Sequence, residues 1–167
     1  MHGLFLAAVL TIDAAKSTAT FAVQHVFVER VTGTVPITSG TIDFPAGATI
    51  PDKVQATLDP TRLQTDEPDR DAALQSPDWF DTKLFPTWTF TSTSIVATPA
   101  GFTMTGILTM HGVGQPEMLA VTVGGSKEHP SYHAVGQINR HAFGMTKTRL
   151  DPVIGETVDV TLDIKVP

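Results

Sequence analysis

The chain contains no cysteine, which excludes disulfides, thiolate zinc sites and cysteine nucleophiles and leaves the redox compartment unreadable from composition. Charge is scarce too: 17% of the residues are Asp, Glu, Lys or Arg, and 17 acids against 11 bases leave a net charge of −6. Holding a phosphate backbone needs clustered Lys and Arg, so nucleic acid is not an expected partner. Long apolar runs are missing as well. The longest, Leu4 to Leu10, has seven residues, against the roughly 20 that cross a bilayer as a helix, so no transmembrane segment is expected. No Lys or Arg precedes that run, and its length is the bottom of the secretory range. Residues 1–10 therefore read as an apolar lead-in to the first strand, not a complete leader, and the chain as written reads as cytoplasmic. With 41% hydrophobic residues it is too apolar for disorder, and 167 residues suit a single domain over 1–167.

What the sequence has in abundance is threonine, with 25 copies. Together with Val and Ile, these β-branched residues favour pleated, half-buried surfaces. Period-2 alternation recurs along the chain: Ala19, Phe21, Val23; Gly40, Ile42, Phe44; Val54, Ala56, Leu58; Trp88, Phe90, Ser92; Phe102, Met104, Gly106, Leu108; Leu119, Val121, Val123; Ala134, Gly136, Ile138; and Val158, Val160, Leu162, Ile164. These runs predict eight strands, each with one wet and one dry face. That is the signature of an antiparallel sheet, because parallel strands are covered on both faces and read as continuous apolar runs. Thr32-Gly33, Ser39-Gly40, Pro45-Ala46-Gly47, Pro99-Ala100-Gly101, Gly124-Gly125-Ser126 and Ile154-Gly155 punctuate the runs as short connections. A barrel or a sandwich would both satisfy the alternation. The mixture of small and large residues on the dry face favours a barrel with a cavity.

The period changes between Thr65 and Leu84. Thr65 or Asp66 is placed to cap a short helix, Pro68 suits its first turn, the acids suit its positive end and Pro77 stops it. A second short turn over Pro77 to Asp81 would aim Trp79 and Phe80 at apolar surface. One or two short helical segments around 66–82 thus read as a lid or plug.

Chemistry is thinly represented. His129 and His133 stand four apart, but Pro130 and the β pattern disfavour a helix, and no zincin Glu follows. No Gly-x-Ser-x-Gly elbow occurs. Asp66, Glu67, Asp69 and Asp71 read as a solvated helix start, not as paired catalytic acids. No catalytic residue, metal ligand or cofactor is expected. The aromatic and methionine inventory remains, and in a barrel it either packs solid or encloses a dry cavity suited to apolar ligands.

At Arg70-Asp71, Leu74 and Asp78-Trp79-Phe80-Asp81, followed by Phe85-Pro86 and the strand Trp88-Thr89-Phe90-Thr91-Ser92, the chain resembles the YceI-like family. Thr11-Ile12-Asp13 with Ser17, Phe21, Val23 and His25, Gly106-Ile107-Leu108-Thr109 with Gly112-Val113 and Pro116, and Arg140, Phe143-Gly144, Ile154-Gly155 and Val158 extend the resemblance over nearly the whole chain. The resemblance implies an extended eight-stranded antiparallel, lipocalin-like barrel with short helical segments. Its tunnel would hold a long polyisoprenoid, an isoprenoid quinone or a similar amphiphilic lipid. It further implies a homodimer and, as for many members, a periplasmic location as the alternative. Three positions depart from the family pattern. Lys16 stands where His is common, Gln115 where Lys is common, and Trp88 where a smaller aliphatic residue is usual.

The function expected is therefore that of a carrier. The tail would pass Phe21, Val23, Phe44, Trp88, Phe90, Phe102, Met104 and Leu108, with Phe143 completing the ligand-binding set and Trp79 and Phe80 closing one end. Arg70 and Asp71 would fix the helical segment to the barrel rim. A cofactor-free enzyme acting on an apolar substrate is the alternative, with His25 as its one candidate base. An assembly module whose dimer is the function is the third reading.

Overall fold

The computed structural model describes residues 6–25, 29–146 and 151–167, and for His25 and Asp151 the backbone alone. His2, the first part of the apolar lead-in and the His25 side chain proposed as a base lie outside the described residues. The elements are β1 (Ala8–Thr11), β2 (Thr18–His25), β3 (Arg30–Val35), β4 (Ile37–Phe44), β5 (Lys53–Leu58), α1 (Pro68–Leu74), β6 (Trp88–Thr98), β7 (Gly101–Met110), β8 (Val113–Gly125), β9 (Pro130–Asn139) and β10 (Ile154–Lys165). The strands form one sheet in the order β1-β4-β5-β6-β7-β8-β9-β10-β2-β3, antiparallel throughout.

Only Pro36 separates β3, at one end of that order, from β4, next to the other end. The sheet must therefore curl until its ends meet. Three contacts tie the seam. Thr34 of β3 forms a bridge with Gln64, Asp59 N donates to Pro36 O at 2.9 Å, and Asp13 N donates to Lys165 O at 2.9 Å. The dry faces turn inward and form one core, which includes Ile12, Ile42, Phe102, Tyr132 and Ile164.

The all-β antiparallel barrel architecture is the one expected, with two strands more than the alternation predicts. β1 is four residues long and lies within the run read as lead-in, too short to show a period. β3 contains Thr32-Gly33, whose glycine reads as punctuation in the sequence but sits in mid-strand opposite Phe21.

The segment between β5 and β6 holds one helix. Glu67 occupies the N-cap without a side-chain cap bond, and Pro68 takes the first turn, so neither Thr65 nor Asp66 plays the expected capping part. Thr65 is instead the anchor of the segment. Arg70 Nε and Nη2 donate to Thr65 Oγ1 (2.9 Å) and O (2.7 Å), while Thr65 N and Oγ1 donate to Asp71 Oδ1 at 2.8 and 2.5 Å. Gln64 carries the β3 bridge next door, so Arg70 and Asp71 fasten α1 to the seam through Thr65. Residues 77–81 form hydrogen-bonded turns, not a second helix, with Trp79 N donating to Ser76 O at 3.0 Å and Asp81 at a φ of 46°.

Candidate functional site

Among the described residues, the inward faces leave two adjoining apolar cavities. The larger, about 160 Å³, is walled by residues of nearly every strand, among them Phe21, Trp88, Phe90, Phe102, Met104 and Leu108. The smaller, about 90 Å³, is walled by Val23, Leu74 of α1, Trp79, Phe80, Arg140 and Val158, together with residues shared with its neighbour. Five side chains line both: Phe21, Trp88, Met110, Ile138 and Val160. A buried water needs roughly 10–15 Å³ and two to four polar partners. Space is ample here, but the walls supply almost no hydrogen-bonding atoms, which makes the lumen a place for hydrocarbon.

Of the residues singled out from the sequence, Phe21, Val23, Trp79, Phe80, Trp88, Phe90, Phe102, Met104 and Leu108 line one cavity or both. Phe44 and Phe143 line neither. Phe44 is partly buried at the end of β4, and Phe143 is fully buried, its carbonyl 2.8 Å from His111 Nδ1. Ile12, Met110, Tyr132, Val160, Leu162 and Ile164 were not singled out, although alternation within β10 marks Val160, Leu162 and Ile164 as inward. His133 lies on the outer surface, 2.7 Å from Asp163 Oδ1.

Trp88 is the largest of the five side chains that partition the two cavities. It is 7% exposed and opens β6 opposite Leu58. The Phe80 ring meets it edge to face, with centroids 4.7 Å apart. Its Nε1–H has no hydrogen-bond partner among the described residues, an uncommon state for a buried indole. The loop aromatics thus reach the lumen through Phe80, and the segment read as a lid supplies the end wall of the smaller cavity.

Arg140 closes the same end from the other side. Its guanidinium is buried and donates to Gly155 O (2.9 Å), Met145 O (2.7 Å) and Ile154 O (2.8 Å), with Cζ 5.5 Å from the Trp79 ring centroid. A planar cation with several fixed donors suits carbonyls converging from two segments. One side chain therefore joins the turn after β9, the start of β10 and the lid.

An antiparallel curled sheet around a dry lumen, stoppered by a short helical segment, defines a lipocalin-like barrel. The YceI-like domain model matches residues 10–166, so the chain belongs to the YceI-like family. Protein YceI of Escherichia coli O17:K52:H18 is 32% identical over 151 residues, which span 87% of this chain and 78% of that relative. Protein YceI of Salmonella newport is 31% identical over 142 residues, 81% and 74% of the two chains. Among solved structures, Burkholderia cenocepacia BcnA shares the fold with a TM-score of 0.84 at 21% identity, covering 93% of this chain and 99% of its own. A polyisoprenoid binding domain from Saccharophagus degradans does so with a TM-score of 0.69 at 18% identity, covering 94% and 98%. Among the described residues, no helix is long and apolar enough to cross a membrane.

Proposed function

We propose that this protein is a carrier that holds a long apolar chain, a polyisoprenoid or a similar amphiphilic lipid, along the lumen of its barrel. The observation that carries this reading is the pair of adjoining apolar cavities, which share five lining side chains, Trp88 among them. A tail with flexible joints occupies such a space piece by piece, and rotation of Trp88 joins the two compartments. Affinity comes from apolar surface removed from water at roughly 25 cal/mol per Å², from which the cost of ordering the chain is subtracted. Membership of the YceI-like family and the fold shared with a polyisoprenoid binding domain support the same reading.

The test is native mass spectrometry of the purified protein, followed by organic extraction of what it carries and by titration with added polyprenols. A stoichiometric isoprenoid lipid is the expected result. A protein that emerges empty and takes up no added isoprenoid overturns the carrier function.

A further inference from the structure

The ladder between β8 and β9 stops short of the ends of both strands. Their ladder runs from Gly125 opposite Pro130 to Ala120 opposite Val135, yet β8 begins at Val113 and β9 continues to Asn139. Below Ala120, β8 keeps its pairing with β7 as far as Val113, while its other edge has no ladder partner in β9; the two strands still approach at Gly136, where a Cβ would come within 2.6 Å of Met118 O, and the gap lies beyond that contact. Pro116 lies in this stretch and has no N–H to offer. Farther along, Gln115 Nε2 donates to Ala142 O at 3.0 Å, so the 3-10 turn after β9 covers part of the edge.

The larger cavity reaches this gap, bordered by Glu117 and Met118 on one side and Gln137 and Ile138 on the other. Met118 is 61% exposed, which puts the border of the cavity at the protein surface. Glu117 alternates with the buried Leu119 and Val121 and so belongs to the inward face of β8. Among the described residues it is the one charged side chain in the lining of that cavity, and because the lining is almost wholly apolar it is the Glu117 stem, not the carboxyl, that forms part of the wall. Among the described residues its carboxyl has neither a hydrogen bond nor an ion pair, and burial alone pushes it above the ordinary carboxylate range. A half-buried acid beside hydrocarbon costs stability that a leucine would not.

We propose that Glu117 is the head-group contact of the carrier: the ligand is an amphiphile whose tail lies in the lumen and whose polar end donates a hydrogen bond, from a hydroxyl or an amine, to the Glu117 carboxyl at the β8–β9 opening. This rests on the carrier function and adds to it the chemistry of the ligand's polar end. The opening lets a polar group stay near water while the tail is enclosed, and an acceptor there selects donors over esters, ethers and bare hydrocarbon.

The experiment titrates the full chain with geranylgeraniol, geranylgeranylamine and geranylgeranyl methyl ether, following the fluorescence of Trp79 and Trp88. Wild type is expected to bind the alcohol and the amine about tenfold or more tighter than the ether, as suits a hydrogen bond to a charged group. Glu117→Leu is expected to abolish that preference while ether affinity stays within about twofold, since the tail contacts are untouched. Glu117→Gln, close in shape, is expected to keep the preference for the alcohol and lose the preference for the amine, and it carries the test if the leucine variant does not fold. Equal binding of the three probes by wild type, or a preference that survives in Glu117→Leu, overturns the assignment of Glu117 and leaves the carrier function standing. Failure of wild type to bind any of the three overturns the carrier function itself.

Discussion

The ring of Phe21 lies against Gly33, its cross-strand partner on β3. A Cβ at position 33 would collide with the ring edge and come within 2.9 Å of Thr65 Cγ2. The glycine lets an aromatic ring lie flat on the neighbouring strand, so the ring walls the lumen without filling it. Phe90 is treated in the same way. A Cβ on Gly106 would strike the Phe90 ring and approach Thr91 O at 2.6 Å. Two of the large rings facing the larger cavity are thus accommodated by the absence of a side chain beside them.

Gly33→Ala should therefore push Phe21 toward the cavities and lower ligand capacity, at a stability cost of about 1–3 kcal/mol from overpacking. Chemical denaturation measures the cost, and titration with isoprenoids of graded length measures the capacity. An unaltered length profile in a folded variant would show that Phe21 does not bound the lumen.

Replacing Trp88 by Ala removes the largest of the partitioning side chains and should join the two cavities. The expected signature is a shift of preference toward longer tails together with a destabilisation of about 3 kcal/mol or more. Trp88→Phe retains most of the packing and deletes the unpartnered Nε1–H, so its stability loss should be well below that of the alanine variant. Thermal melts of the two variants, side by side, check the order.

Arg140→Lys should cost about 3 kcal/mol although the charge is kept, because one ammonium cannot serve the carbonyls of Met145, Ile154 and Gly155 together. Hydrogen exchange should localise the loss to the start of β10 and to the lid at Trp79. Uniform loss across the sheet would argue that Arg140 is no clamp between those segments.

Two carboxyls should give opposite pH responses. Burial raises Glu117 above its ordinary 4.5, so the protonated form is the one the fold favours. Its contribution is complete below the unfolded value and is lost as pH rises through the folded one. Glu117→Gln should accordingly raise the melting temperature at neutral pH and leave it unchanged in acid. Asp159 is held below its ordinary 3.8 by hydrogen bonds from Arg30 and Gln137, so its contribution is present above that value and fades as pH falls through the folded one. Arg30→Ala should flatten that acid limb, as melts across the acid range would show.

Alternation carried much of this fold in the sequence, because one face of each strand is dry and threonine fills the other. Glycine was the point of ambiguity. Gly33 and Gly155 read as turn residues and Gly40 as either a turn residue or a strand position, yet all three lie inside strands. At Gly33 and Gly40 the missing Cβ makes room for the side chains of Phe21 and Ile12. A linear sequence does not distinguish a glycine that bends the chain from one that lies under a neighbour, since the neighbour arrives from a distant strand. Glu117 was within reach of the sequence, as one step back along the Leu119, Val121 alternation. Its polarity sets it apart from the apolar residues that alternation marks as lining. Trp88 could be placed on an inward face, but the two compartments depend on the edge-to-face contact that Phe80 makes with it from the lid segment.

β2 pairs with β3 on one edge and with β10 on the other, and Lys165 N donates to Ser17 Oγ at 2.9 Å across a separation of 148 residues. On the ribosome, β2 and β3 therefore emerge almost a full chain length before the strand that seats them in the sheet. Until β10 is released, the barrel is an unfinished ribbon with an exposed apolar face, and any chain cut short before β10 leaves the β2–β3 pair without the strand that joins it to the sheet.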